Sequence, residues 1–95
     1  MEFTVERNRI YMQDEQGKLL AEILFPDEGK GSAVVITSTF VDRSLRGQGV
    51  ADQLMQAVIK ELQSQNKMAK AVCSYAVEWF ELHPEHNGLY IKDRF

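Results

Sequence analysis

The sequence predicts an α/β fold: a mixed, mostly antiparallel sheet of about five strands, with one strand-helix-strand crossover and two covering helices. Three observations predict it. Apolar residues alternate with polar ones through most of the first forty positions, the period of a strand half-buried on one face. From about Gly47 the apolar spacing changes to that of a helix, and at residue 68 a short apolar run begins that has the length of a strand.

Each element has a local reason. Phe3 and Val5, then Ile10 and Met12, alternate on either side of Arg7-Asn8-Arg9 and read as two short strands joined tightly. Asp14-Glu15-Gln16-Gly17 supplies turn formers and a glycine able to take positive φ, after which Leu19, Ala21, Ile23 and Phe25 share one face of a third strand ended by Pro26. The turn-rich residues 27–32 lead into a fourth strand over 33–40, whose start is continuously apolar as if covered on both faces. Val50, Leu54, Ala57, Val58 and Leu62 then recur at helical spacing, with Asp52, Gln53, Gln56, Lys60 and Gln63 on the polar face, predicting a helix from about 47 to 64. Asn66 can end it in the left-handed region. Residues 68–73 form the fifth strand, parallel to the fourth through a right-handed crossover. A short helix over 75–82 stops before His83-Pro84, with Trp79 and Phe80 packed on the sheet.

Length and composition bound the function. Ninety-five residues hold one core, so a single domain is expected. A net charge of -3 provides no basic field for nonspecific nucleic-acid binding. The absence of a long apolar run and of a signal-peptide segment predicts a cytoplasmic protein with no membrane partner. One cysteine and two histidines predict neither a disulfide scaffold nor a metal site.

Chemistry concentrates in residues 41–51, between an apolar strand and an amphipathic helix. Gly47 and Gly49 let a ligand approach the main chain, and the first helical N–H groups have no intrahelical partner. With the helix dipole they favour phosphate oxygens, to which Arg43 and Arg46 can add charge-assisted hydrogen bonds. The dinucleotide signature Gly-x-Gly-x-x-Gly is missing, as is the phosphate-loop lysine; Gly29-Lys30-Gly31-Ser32 precedes a strand rather than a helix.

Arg46-Gly47-Gln48-Gly49-Val50-Ala51 matches the Gln/Arg-x-x-Gly-x-Gly/Ala signature of the GNAT (N-acetyltransferase) superfamily. With Thr39-Phe40-Val41 before it and Cys73-Ser74-Tyr75 and His83-Pro84-Glu85 after it, nearly the whole chain resembles a compact single-domain subfamily of predicted acetyltransferases. The resemblance implies one acyl-coenzyme A-binding domain over residues 1–95, with strands four and five splayed apart. It implies that the amides of Arg46, Gly47, Gln48, Gly49, Val50 and Ala51 hold the pyrophosphate. It further implies that Thr39, Phe40 and Val41 offer main-chain contacts to the pantetheine arm, leaving the acetyl thioester near Cys73 and Tyr75. The helices and strands that shape the acceptor pocket in typical members have no room here.

Candidate roles follow. Cys73 is either a small core residue or an acyl-accepting thiol, which would need a depressed pKa. Tyr75 is either structural or the acid that protonates the departing thiolate. His83 is either a helix-end group or the acceptor of an amine proton. Two functions are expected: acetyl transfer from acetyl-coenzyme A to an amine of a small molecule or protein, directly or through Cys73, or noncatalytic binding of coenzyme A and acetyl-coenzyme A. A ligand-free interaction domain is the third reading.

Overall fold

A computed structural model describes residues 2–29 and 32–92. The first hairpin pairs β1 (Thr4–Glu6) with β2 (Arg9–Gln13), and Asn8 takes the left-handed conformation between them. Strand β2 pairs antiparallel with β3 (Leu19–Leu24) across a turn in which Gly17 has φ 86°. After a bend at Pro26 the short β4 (Asp27–Glu28) resumes the course of β3. The long fourth strand expected from the sequence divides in two, β5 (Ala33–Ile36) and β6 (Ser38–Val41).

The division has a register cause. Val34 opposes Asp27 and Ser38 opposes Leu24, so four residue steps on one side face three on the other. The extra residue is a bulge at Thr37, whose N–H donates to the Leu24 carbonyl at 3.0 Å. Before the bulge the strand belongs to a three-stranded sheet, β4-β5-β7; after it, to a four-stranded sheet, β1-β2-β3-β6.

Helix α1 (Val50–Gln65) follows β6 through a 3-10 turn at Arg43–Leu45. Its apolar stripe of Val50, Leu54, Val58 and Leu62 is buried against Ile10, Ala21, Ile23 and Ile36. Asn66 ends it with φ 55°, as the sequence predicts. The chain then enters β7 (Met68–Ala71), parallel to β5 with Val34 beside Ala69 and Ile36 beside Ala71. Pairing stops there. The Ile36 carbonyl accepts both Val72 N–H at 3.1 Å and Cys73 N–H at 3.2 Å, and the chain turns away into α2 (Ser74–Leu82). The splayed, parallel fourth and fifth strands of the resemblance are thus present as β5-β6 and β7. Trp79 and Phe80 are buried in the same core as α1, and the Phe80 ring stacks on Tyr90 at 4.1 Å.

The continuous cover expected over the fourth strand is incomplete. Val35 is only partly buried, and Phe40 is exposed on the sheet face that also carries Tyr11 and Glu22. Arg9 bridges that face, donating to Glu22 at 2.6 Å and lying 3.8 Å over the Tyr11 ring. Among the described residues no helix is long and apolar enough to cross a membrane.

Two predictions follow from this packing. Leu54→Ala removes a fully buried side chain at the centre of α1 and is expected to cost roughly 2–5 kcal/mol of unfolding free energy, read by urea denaturation. Asp27 accepts from Lys67 at 2.9 Å, Asn8 at 3.2 Å and Arg7 at 3.2 Å, and these bonds hold its carboxyl below the ordinary carboxylate range. A depressed folded-state pKa stabilises above the unfolded value of about 3.9 and that contribution vanishes as pH falls through the folded value. Asp27→Asn should therefore lower stability at pH 7 and flatten its loss below about pH 4, in melts recorded across the acid range.

Candidate functional site

The site begins with a stiffened approach to α1. Asp42 caps the 3-10 turn by accepting from Ser44 N–H at 3.0 Å and Ser44 Oγ at 2.6 Å, which together draw its carboxyl below the usual range. Beyond it, Gly47 and Gly49 take φ 81° and 78°, conformations that L side chains adopt only with strain. No atom lies within 4 Å of where a Cβ would stand at either glycine, so the main chain is open to a ligand. The first bond into the helix runs from Gln53 N–H to the Gly49 carbonyl at 3.1 Å. The N–H groups of residues 50–52, the first of the helix, have no intrahelical acceptor and point out of the helix start.

Around this turn lies a cavity of about 190 Å³ lined by Val41, Leu45, Arg46, Gly47, Gly49 and Val50, with Ala51, Asp52 and Tyr75 completing it. Arg43 and Arg46 are exposed beside it, and neither forms an ion pair among the described residues. Arg46 Nε donates to the Val41 carbonyl at 3.3 Å, and Gln48 Nε2 donates to the Ser44 carbonyl at 3.4 Å. Val50 is itself buried, so only its main chain faces the turn.

The second part is the gap between β6 and the end of β7. Asp42 N–H bonds to the Leu20 carbonyl, and antiparallel alternation then turns the main-chain groups of Phe40 toward β3 and those of Thr39 and Val41 toward the opposite edge. Of the three sequence-predicted contact residues, Thr39 and Val41 thus face the gap, while Phe40 spends its peptide groups on Glu22 and its ring on the outer face.

Across the gap stands Cys73, the N-cap residue of α2. Its sulfur lies 3.5 Å from Thr39 Oγ1. It also faces the N–H groups of Ala76, Tyr75 and Thr39, close enough to feel their dipoles though closing no capping bond with the helix. Partial burial alone pushes the thiol up, but the Thr39 hydroxyl and these amides outweigh it and bring it below the ordinary cysteine value. Tyr75 moves the other way: burial first, then the negative charges of Asp52, Cys73 and Glu78, raise its phenol so that it keeps its proton.

His83 stands apart from these two. It follows the last residue of α2, a nine-residue helix, about 15 Å along the axis from Cys73. Its Nδ1–H donates to the Trp79 carbonyl at 2.8 Å, its ring stacks on Trp79 at 3.9 Å, and its Nε2 lies 4.0 Å from Asp52 Oδ1. The structure therefore brings Cys73, Tyr75, Thr39 and the glycine turn together and sets His83 on Asp52 instead. Periodicity places Asp52 on the polar face of α1; nothing in one dimension links it to Trp79, 27 residues away.

A family model described as GCN5-related N-acetyl-transferase matches residues 9–89, which takes in every element from β2 through the aromatic helix. This chain belongs to the GCN5-related N-acetyltransferase family. Its fold is that of other members. The solution structure of a GCN5-like N-acetyltransferase candidate from Staphylococcus aureus superposes with a TM-score of 0.79 at 28% identity, covering 98% of this chain and 90% of that one. GCN5 of Tetrahymena gives 0.60 at 18% identity over 94% of this chain and 64% of its own. The acetyltransferase YhbS of Escherichia coli, solved in complex with CoA, gives 0.52 at 24% identity over 62% of this chain and 35% of its own. This acetyltransferase domain thus spans nearly all of the staphylococcal protein but between about a third and two thirds of the two larger enzymes. No curated protein matches it in sequence.

The geometry at Cys73 makes one prediction. Because the thiol is depressed, its alkylation by iodoacetamide should reach half-maximal rate at a lower pH than that of an unstructured cysteine peptide, and Thr39→Val should move the midpoint upward. A midpoint at or above that of the peptide would contradict the electrostatics described here.

Proposed function

We propose that the chain is a single acyl-coenzyme A-binding domain that transfers an acetyl group from acetyl-coenzyme A to an amine. The observation that carries this reading is the continuity of an anion cradle with an open strand edge: the N–H groups at the start of α1 adjoin the edge of β6 that no strand covers, which leads to Cys73. A diphosphate joined to an extended, amide-bearing arm that ends in a thioester has the chemistry of both halves. The CoA complex of the E. coli relative, and family membership over residues 9–89, support the same ligand.

In this reading the amides of residues 46–51 and the guanidinium groups of Arg43 and Arg46 hold the pyrophosphate. Thr39 and Val41 pair with the amides of the pantetheine arm as an added strand would. Bound acetyl-coenzyme A supplies the acetyl group as a thioester. An N–H at the gap polarises the carbonyl oxygen, and a neutral amine forms the new C–N bond as the C–S bond breaks. Tyr75 gives its proton to the departing sulfur and regains one from the amine nitrogen through solvent. In the variant through the protein, the Cys73 thiolate first takes the acetyl group as its own thioester and then passes it to the amine. His83, held on Asp52, acts on this chemistry through that carboxylate rather than on substrate.

Calorimetric titration with coenzyme A tests the first half. Gly49→Glu should abolish the heat while preserving the circular dichroism spectrum. Arg46→Ala should weaken binding roughly ten-fold, the loss of one charged hydrogen bond of about 1.5 kcal/mol. Thiol release from acetyl-coenzyme A with a panel of primary amines tests the second half. Binding without release for any amine would leave a noncatalytic acetyl-coenzyme A-binding module in its place. An acetyl adduct found by intact mass and lost in Cys73→Ala marks the covalent variant.

A further inference from the structure

One carboxylate joins the two halves of the site. Asp52 sits in the first turn of α1 and lines the turn cavity together with Gly47, Gly49 and Tyr75. Its Oδ1 accepts the indole N–H of Trp79 at 2.7 Å, across 27 residues and from the other helix. The Trp79 ring is almost fully buried, with the rings of His83 at 3.9 Å and His86 at 5.6 Å both nearly parallel to it. Because a carbonyl can only accept, the contact between His83 and the Trp79 carbonyl fixes the proton on Nδ1, and this directs Nε2 toward Asp52. Tyr75, Trp79 and His83 follow one another every four residues along α2 and its C-cap; Trp79 bonds to the Asp52 carboxylate, His83 lies 4.0 Å from it, and Tyr75 lines the same cavity.

An acid in the first turn of a helix needs no further explanation where it merely complements the dipole. Here the carboxylate does more than that, because it is bonded to the helix that carries both groups poised at the gap and is directed into the cavity where the phenol stands. We propose that Asp52 is a positioning residue of the transfer reaction: it docks α2 on the start of α1 through Trp79 and sets its charge in the same cavity as the Tyr75 phenol. The proposal rests on the acetyl-transfer reading for its second clause only. The charged and titratable groups around Tyr75 are Asp52 from α1, Cys73 and Glu78 from α2, and Arg46 from the turn. Of these Asp52 is the one that also ties the two helices. A phenol gives up its proton only in the alkaline range, well above any pH at which a carboxylate is protonated. The effect of Asp52 is therefore read on the alkaline side.

Two substitutions separate the clauses. Asp52→Asn keeps an oxygen for the Trp79 N–H and removes the charge; Asp52→Ala removes both. Trp79 is the only tryptophan, so its fluorescence reports docking of α2 directly. Emission should stay at the wild-type wavelength in Asp52→Asn and shift to the red in Asp52→Ala. The ring carbon resonance of Tyr75, assigned by comparison with Tyr75→Phe, should titrate at lower pH in Asp52→Asn than in the wild type. In turnover with acetyl-coenzyme A, the alkaline fall of kcat should move to lower pH in the same variant, with KM unchanged or reduced because a negative charge beside the diphosphate is gone. Unaltered Tyr75 titration in Asp52→Asn, or an unshifted tryptophan emission in Asp52→Ala, overturns the proposal. Failure of the acetyl-transfer reading shows instead as a wild-type protein that gives no heat with coenzyme A and no thiol release, and the two spectroscopic readouts still decide on Asp52.

Discussion

The arrangement of the whole site depends on where one strand pairing ends. Ile36 is the last residue at which the long strand β5-β6 can bond to β7, and its carbonyl takes both Val72 and Cys73 N–H groups before the partner chain leaves. One residue later the bulge at Thr37 re-aims the strand toward the hairpin on its other side, so no strand among the described residues pairs with the edge of β6 that would have met β7, and that edge meets only the Arg46 side chain and the Cys73 sulfur. A buried peptide edge without partners is costly, and an exposed one invites an added strand. The gap therefore follows from the register of two strands, and so does the position of the cysteine at its mouth.

The same event sets the electrostatics. Leaving the sheet at residue 72 lets the chain begin a helix at once, which makes Cys73 its N-cap and turns two helical amides toward the sulfur. On the far side of the gap, β6 runs through a capped 3-10 turn into α1, whose own unpaired amides face outward. Two helix starts thus bound one opening, each contributing the partial positive charge of its unpaired amides. Tyr75 is the counterpoint, its phenol raised by burial first and by the negative groups around it second.

The helices would not keep this relation through the sheet alone. Helix α2 is short and contacts chiefly β7 among the strands, so the bond from Trp79 to Asp52 and the burial of Trp79 and Phe80 in the core shared with α1 supply its lateral fixing. The uncovered sheet face with Phe40, Tyr11 and the Arg9-Glu22 pair shows the economy of a chain that builds the coenzyme side of the fold and little beside it.

Much of this was legible in one dimension. Alternation placed the first three strands, the change of period placed α1, and Asn66 marked its end, because these are local properties of chain and side chain. The glycine-arginine turn was legible for the same reason, since open main chain and unpaired amides follow from residue type and from standing at a helix start. The bulge at Thr37, the loss of Phe40 from the open edge, and the meeting of Asp52 with Trp79 and His83 were not. Each depends on register between segments far apart in sequence, where a shift of one residue reverses the face or edge that a group presents. The sequence by itself determined which elements form and where an open glycine turn meets a helix start; only the tertiary structure decided which thiol, phenol and carboxylate stand around that place, because packing and strand register, not local preference, bring them together.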